Sequence, residues 1–159
     1  MAADVSAQQK SVLARPLVQV HGAKGTAKAI ALVRQKPKGA ISGTIRINKK
    51  PLAYYVNSNM ILKFNDALLA IGPKYLNMVN IDINAHGGGT VSKIYAIRQA
   101  LCKGIVAYIG KHVDEDSMSK LKDKLMSLDK QMLIRDSRRI RPKLFGGPGA
   151  TARYRKSYR

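Results

Sequence analysis

The sequence predicts an α+β domain: a four-stranded sheet with helices on one face, continued by an extended basic tail. Three observations carry this reading. Four short segments read as strands, the clearest by strict apolar–polar alternation. Three longer segments repeat apolar residues at steps of three and four. Residues 137–159 hold eight basic residues, no acid and no periodic apolar face.

Met1 to Arg15 has no periodicity, and residues 1–16 are expected to form a disordered arm. Leu17-Val18-Gln19-Val20 begins the first strand, and His21-Gly22-Ala23-Lys24-Gly25 supplies a turn with two glycines available for positive φ. Ala27 to Val33 resumes as a strand, with Ile30 and Leu32 on one face and Ala29, Ala31 and Val33 on the other. The pair makes a hairpin with a basic tip. Gln35 to Ala40, carrying Lys36 and Lys38, is a basic loop. Ile41 to Ile47 alternates as a third strand, which Asn48-Lys49-Lys50-Pro51 ends.

A helix is expected over about Ser58 to Ile71, capped by Asn57 or Ser58, with Ile61, Phe64, Leu68 and Ile71 on its apolar face. Gly72-Pro73 stops it. Val79, Ile81 and Ile83 alternate with Asn80, Asp82 and Asn84 in a fourth strand. His86-Gly87-Gly88-Gly89-Thr90 leads into the strongest helix, about Thr90 to Ile109. Its apolar face is Ile94, Ile97, Leu101, Ile105 and Tyr108; its small or polar face is Ser92, Ala96, Gln99, Lys103, Ala107 and Gly110. Asp114, Glu115 and Asp116 precede a last helix to about Leu128, where each negative charge near the N-terminus stabilises by about 0.3–1 kcal/mol. Its stripe is Met118, Leu121, Leu125 and Leu128. The folded body is expected over residues 17–136 and the tail over 137–159.

The 159 residues carry 29 Lys and Arg against 9 Asp and Glu, a net charge of +20, with a pI near 10.4. That balance implies a polyanionic partner, nucleic acid before an anionic membrane. Eleven basic residues and no acid lie between Val5 and Asn65, while six of the nine acids fall between Asp114 and Asp136. Pro16 to Asp136 alone has 19 basic and 8 acidic residues, so the body is itself cationic. No apolar run is long enough to span a membrane, and MAADVSAQQK lacks the apolar stretch of a signal peptide. The single Cys102 excludes an internal disulfide and reads as a core side chain in a cytosolic setting.

Nothing in the residues points to catalysis or to a cofactor. His21, His86 and His112 have no metal-ligand spacing, and Asp114 with Asp116 reads as a helix-start cluster. The Gly87, Gly88 and Gly89 loop has two readings: a tight strand-to-helix turn, or backbone N–H groups turned to an RNA phosphate beside Lys93. Arg98, with its stem packed and its head at the rim, also has two: a phosphate contact, or a local carboxylate or carbonyl. In the tail, Tyr154 and Tyr158 interleave with Arg153, Arg155, Lys156 and Arg159, a pattern suited to stacking on bases while cations hold phosphates. Lys143 to Arg159, fully extended, reaches roughly 55–60 Å. The Gly146-Gly147-Pro148-Gly149 run reads as a hinge that lets the tip thread.

FGGPGATARYRKSYR, at Phe145 to Arg159, resembles the tail of the small-subunit ribosomal protein nine family, small-subunit protein sixteen in the eukaryotic scheme. VHGAKGTAKA at Val20, DINAHGGGTVSKIYAIRQA at Asp82 and DSRRIR at Asp136 resemble it too, and the resemblance spans about Leu17 to Arg159. The KSYR ending resembles the eukaryotic and archaeal form. The resemblance implies the fold named after the second domain of ribosomal protein five: a four-stranded mixed sheet with a left-handed β-α-β crossover, against the usual hand. It implies a structural constituent of the small ribosomal subunit, cytoplasmic, with nucleolar assembly in a eukaryote that has a nucleolus. Its partners would be small-subunit rRNA in the head, P-site tRNA and neighbouring head proteins, with no membrane and no small-molecule substrate. The rRNA contacts would fall on Lys24, Lys28, Lys36, Lys38, Lys49, Lys50, Gly87, Gly88, Gly89, Lys93, Arg98, Arg138, Arg139, Arg141, Lys143, Arg153, Tyr154 and Arg155. Lys156, Tyr158 and Arg159 would lie nearest the tRNA, with Arg159 on its phosphate. Three positions depart from the family pattern: Thr151 where a basic residue is common, Asn48-Lys49 for Asn-Gly, and Lys143-Leu144 for two lysines. The alternative is the protein subunit of an RNA-processing ribonucleoprotein enzyme; a non-specific polyanion binder is a third reading.

Overall fold

A computed structural model describes residues 16–37, 39, 42–55 and 60–159. Strand β1, Leu17–Lys24, and strand β2, Ala27–Gln35, form an antiparallel hairpin in register from Leu17 opposite Arg34 to Lys24 opposite Ala27. The turn is Gly25-Thr26, with Gly25 at φ 57, the positive value a two-residue hairpin turn demands at its first central position. The expected turn over His21 to Gly25 is therefore four residues too wide: His21 to Lys24 are still strand. Gly22 serves a different purpose. A Cβ there would lie 2.3 Å from the Ala96 carbonyl oxygen, so the missing side chain lets a helix press onto β1.

Strand β3 is Ile45–Ile47, shorter than expected, and Ile41 lies outside the described residues. Pairing begins at Thr44, whose N–H donates to Asn80 Oδ1 at 3.0 Å and whose carbonyl accepts from Ile81 N–H at 2.8 Å. The expected sheet of four strands has five. Asn48 (φ 49) and Lys49 (φ 68) both take the left-handed conformation and turn the chain back. Strand β4, Lys50–Pro51, then pairs with β3. A proline is tolerated there because β4 is an edge strand with no outer partner among the described residues.

A 3-10 turn, Leu52–Tyr55, precedes helix α1, Met60–Ile71, which buries Phe64, Ala67, Ala70 and Ile71. Its expected caps, Asn57 and Ser58, lie outside the described residues. Gly72 ends α1 at φ 83, and Pro73 opens the short helix α2, Pro73–Leu76, since proline suits a first helical position. Strand β5 is Val79–His86, with Val79, Ile81 and Ile83 buried as their alternation predicts. The sheet order is β1-β2-β5-β3-β4, antiparallel throughout except for the parallel pair β3–β5.

Helix α3, Thr90–His112, packs on β1, β2 and β5, and helix α4, Glu115–Leu128, packs on α3. All five apolar residues expected on α3 are buried. So are Ala96, Gln99, Ala100 and Gly104, because the helix is covered on more than one side. The close contact is built from small groups: Ala96 and Ala100 over Gly22, and Gly104 against Val33 and Val20. The sheet face beneath is Ala27, Ala29, Ala31 and Val33. On α4, Leu121 and Leu125 are buried, but Leu128 is exposed. A 3-10 turn, Lys130–Met132, ends the body and buries Met132 in its place. Burial pushes the Cys102 thiol up to about 12, leaving a core side chain.

Candidate nucleic-acid interface

With the helices on one face, the other face of the sheet is open. Register places Gln19, Leu32, Asp82 and Arg46 in one row across four strands, with Leu17, Arg34 and Asn80 beside it. Arg34, Arg46 and Lys49 border a concavity of about 490 Å³ whose floor includes Ile30 and Leu32. Asp82 is the one acid lining it. Three ion pairs occur among the described residues, and none engages Arg34, Arg46 or Lys49. Lys28 is exposed on β2, on the same face as Ile30, Leu32 and Arg34, and Lys50 on β4 lies 4.3 Å from the centroid of the Tyr54 ring. Lys36 is half-buried just past β2, and Lys38 lies outside the described residues.

Sequence reasoning missed Arg34 and Arg46. Alternation separates the two faces of β2 but does not say which is covered. The larger apolar pair, Ile30 and Leu32, faces out, because only the alanine face admits α3 at close range.

Just past the C-terminal end of β5, Gly87 (φ 71) and Gly88 (φ 62) fold against the β1–β2 turn. A Cβ on Gly87 would meet Thr26 O at 2.7 Å, and one on Gly88 would meet Ala27 Cβ at 2.9 Å. These two glycines are explained by the tight turn. Gly89 is different: it stands at the N-cap of α3 with open space around it. Lys93 is half-buried in the first turns of α3. No acid stands in the helix's first turn.

Two of the expected contact residues are engaged inside the body. Arg98 is 4% exposed and forms an ion pair with Asp129. Its expected exposed head is thus corrected: the local carboxylate holds it, and α3 buries it against the 3-10 turn. Lys24 bonds Asp136 at 2.8 Å and Gln131 Oε1 at 3.3 Å. Tyr95 lies between them, its ring centroid 5.6 Å from Lys24 Nζ and 5.6 Å from the Arg98 guanidinium. Asp136 also accepts from Arg138 N–H at 3.1 Å. The Lys24 hydrogen bond, then that backbone N–H, hold its carboxyl below the usual carboxylate range.

Beyond Asp136 the chain has no helix or strand, and Arg138, Arg139, Arg141 and Lys143 are exposed. The glycine run expected as a hinge is folded into a closed loop. Leu144 N–H donates to Gly149 O at 3.4 Å and Tyr154 N–H to Gly146 O at 3.3 Å, closing a loop. A Cβ on Gly147 would lie 1.8 Å from Ala152 O, so glycine is required by packing. Arg153 donates to Phe145 O at 2.7 Å, and Lys143 sits 3.5 Å from the Tyr154 hydroxyl. Arg155, Lys156, Tyr158 and Arg159 follow, all exposed.

The family model described as ribosomal protein S9/S16 matches residues 22–159. The chain belongs to this family. Among curated relatives, small ribosomal subunit protein uS9 of Dictyostelium discoideum is 43% identical over 153 residues, covering 96% of this chain and 97% of the relative. That of Caenorhabditis elegans is 45% identical over 142 residues, covering 89% and 95%. Small ribosomal subunit protein uS9A of Saccharomyces cerevisiae is 43% identical over 144 residues, covering 91% and 97%. As an S9/S16 family member, the chain carries the family match from the end of β1 through the rest of the body and the whole cationic tail. Among its described residues no group of three or more His, Cys, Asp or Glu could hold a metal ion, and no helix is long and apolar enough to cross a membrane.

Proposed function

We propose that the chain is a structural protein of the small ribosomal subunit, working in the cytoplasmic ribosome. Body and tail bind rRNA of the subunit head beside neighbouring head proteins, and the tail tip approaches the P-site tRNA. The observation that carries this is the tail: eight cations, no acid, exposed, and rooted to the body through Asp136. Relatives named as small-subunit proteins, matched over nearly their whole length, support the assembly. We assign the fold to the type named after the second domain of ribosomal protein five, on the mixed sheet with its single parallel pair.

Three surfaces share the RNA. Arg34, Arg46, Lys28 and Lys49 offer point charges and Arg forks on the open sheet face. Gly89 and Lys93 offer a helix start without acids. Arg138, Arg139, Arg141, Lys143, Arg153, Tyr154 and Arg155 line the tail, and Lys156, Tyr158 and Arg159 form its tip. Each neutralised phosphate adds about 0.7–0.9 to the steepness of the salt dependence, so binding that rests on charge alone is lost steeply as salt rises, and retention at high salt requires contacts that charge does not supply. The test is co-sedimentation of tagged protein with small subunits through a high-salt gradient. Retention on the small-subunit peak is expected; loss of all association at moderate salt overturns the proposal.

A further inference from the structure

We propose that Phe145 is a stacking platform for an unpaired RNA base, held out by the closed loop of residues 144–154. The proposal rests on the RNA-binding reading of the tail.

Phe145 is 92% exposed, so its ring gains almost nothing from the fold that carries it. Yet the loop beneath it is built, not slack. Arg153 donates to the Phe145 carbonyl itself at 2.7 Å, which fixes the backbone at the ring's root. Gly146 follows at φ 74, and Gly147 is buried where no side chain would fit beside Ala152. A chain that spends a guanidinium and two glycines on this geometry, then leaves an aromatic ring in water, has presented the ring to something outside.

The surrounding charge selects the partner. No acid occurs between Ser137 and Arg159, while Lys143 and Arg155 flank the loop. An apolar protein pocket would accept the ring but has no need of these cations. An unpaired base offers a flat face to the ring and phosphates to the cations at once. Tyr154 is the less available ring of the loop, since Lys143 Nζ stands 6.0 Å from its centroid and 3.5 Å from its hydroxyl.

The chain has no tryptophan, so Phe145→Trp gives a single reporter. The probe is a single-stranded 12-nucleotide oligoadenylate, compared with an RNA duplex at equal phosphate concentration. Stacking is expected to quench the indole fluorescence with the single strand and not with the duplex. Phe145→Ala is expected to bind the single strand at least about fivefold more weakly, with its salt slope unchanged because no charge is removed. Phe145→Leu should behave like Phe145→Ala, since it is apolar but has no π-face. Absence of quenching, or full affinity with leucine, overturns the proposal and points to an apolar protein pocket instead. Failure of the ribosomal reading is separate: the wild-type chain would then leave the small-subunit peak while the quenching result stood.

Discussion

Asp136 Oδ2 lies 2.8 Å from Lys24 Nζ, so the carboxylate where the tail begins is tied to the last residue of β1. The same side chain accepts the Arg138 N–H and stands 3.5 Å from Arg138 Nε. One acid thus sets the direction in which the cationic arm leaves the body. Its pKa is depressed below the ordinary 3.8, so what it contributes to stability is present above that value and is lost as pH falls through the lower folded pKa. The tail root is expected to hold at neutral and mildly acid pH. The Arg138 amide signal, followed by NMR from pH 7 downward, should shift below the usual carboxylate range in the wild type. In Asp136→Asn that step should be absent and the amide should exchange faster at pH 7. A midpoint above pH 5 would contradict the geometry.

Arg98 and Asp129 form the body's internal latch. Removing one partner leaves the other unpaired, and here the buried partner is the cation. Asp129→Ala is expected to cost about 3 kcal/mol, the lower end for breaking a buried pair, because the carboxylate is itself partly exposed. Arg98→Met combined with Asp129→Leu should recover most of that loss. Urea unfolding of the wild type and these two variants reads both values. A single-mutant loss under about 1 kcal/mol would show that water reaches Arg98 after all.

The sheet's inner strand was plain in the sequence, since Val79, Ile81 and Ile83 can bury together only on one face. The stripe of α3 was equally plain. Other features depend on what lies across the fold. Gly22 has the same composition signal whether it turns a chain or admits a helix, and only the position of Ala96 decides. Strand β4 is too short to have a period. Arg98 finds its carboxylate 31 residues on, beyond any helical spacing. Arg34 and Arg46 sit on a face whose exposure follows from where α3 packs, which the local pattern of β2 does not contain. In the tail, eight cations were legible, but the loop at 144–154 arises from backbone hydrogen bonds that leave no mark on composition.

Gly22→Ala tests the close approach of α3. The added methyl would sit 2.3 Å from Ala96 O and 2.7 Å from Ala100 N, both backbone atoms that cannot swing aside. The helix must lift from β1, at about 3 kcal/mol, the upper end for overpacking. Gly89→Ala is the matched control: φ is −81 and nothing lies within 4 Å, so only the weaker N-cap preference of alanine remains and stability should change by no more than about 1 kcal/mol. Equal urea midpoints for the two variants would remove the packing account of Gly22.

Lys49 stands at φ 68, where a side chain is strained and glycine is not. Lys49→Gly should stabilise the β3–β4 hairpin by about 1 kcal/mol, raising Tm by roughly 2–4 °C for a chain of this size. Under the proposed function the same change removes one cation from the open sheet face. The slope of log K against log salt for small-subunit rRNA should then fall by about 0.7–0.9. Gain in stability with an unchanged slope would place Lys49 off the RNA.

Arg159 is exposed at the tip of the arm, far in sequence from the residues that root it at Asp136. Under the proposed function the body and the remaining tail cations anchor the protein to rRNA, and the tip serves a different ligand from the one that holds the body. Arg159→Ala should therefore leave co-sedimentation with the small subunit intact. If its guanidinium holds a tRNA phosphate, losing that charge-assisted bond should raise the P-site tRNA off-rate by roughly tenfold, the order expected for a hydrogen bond to a charged group. Arg159→Lys should recover part of the effect, because it restores the charge without the planar fork. Filter-binding dissociation of tRNA from subunits carrying each variant measures this. Equal off-rates for wild type and Arg159→Ala would confine the tail's role to rRNA.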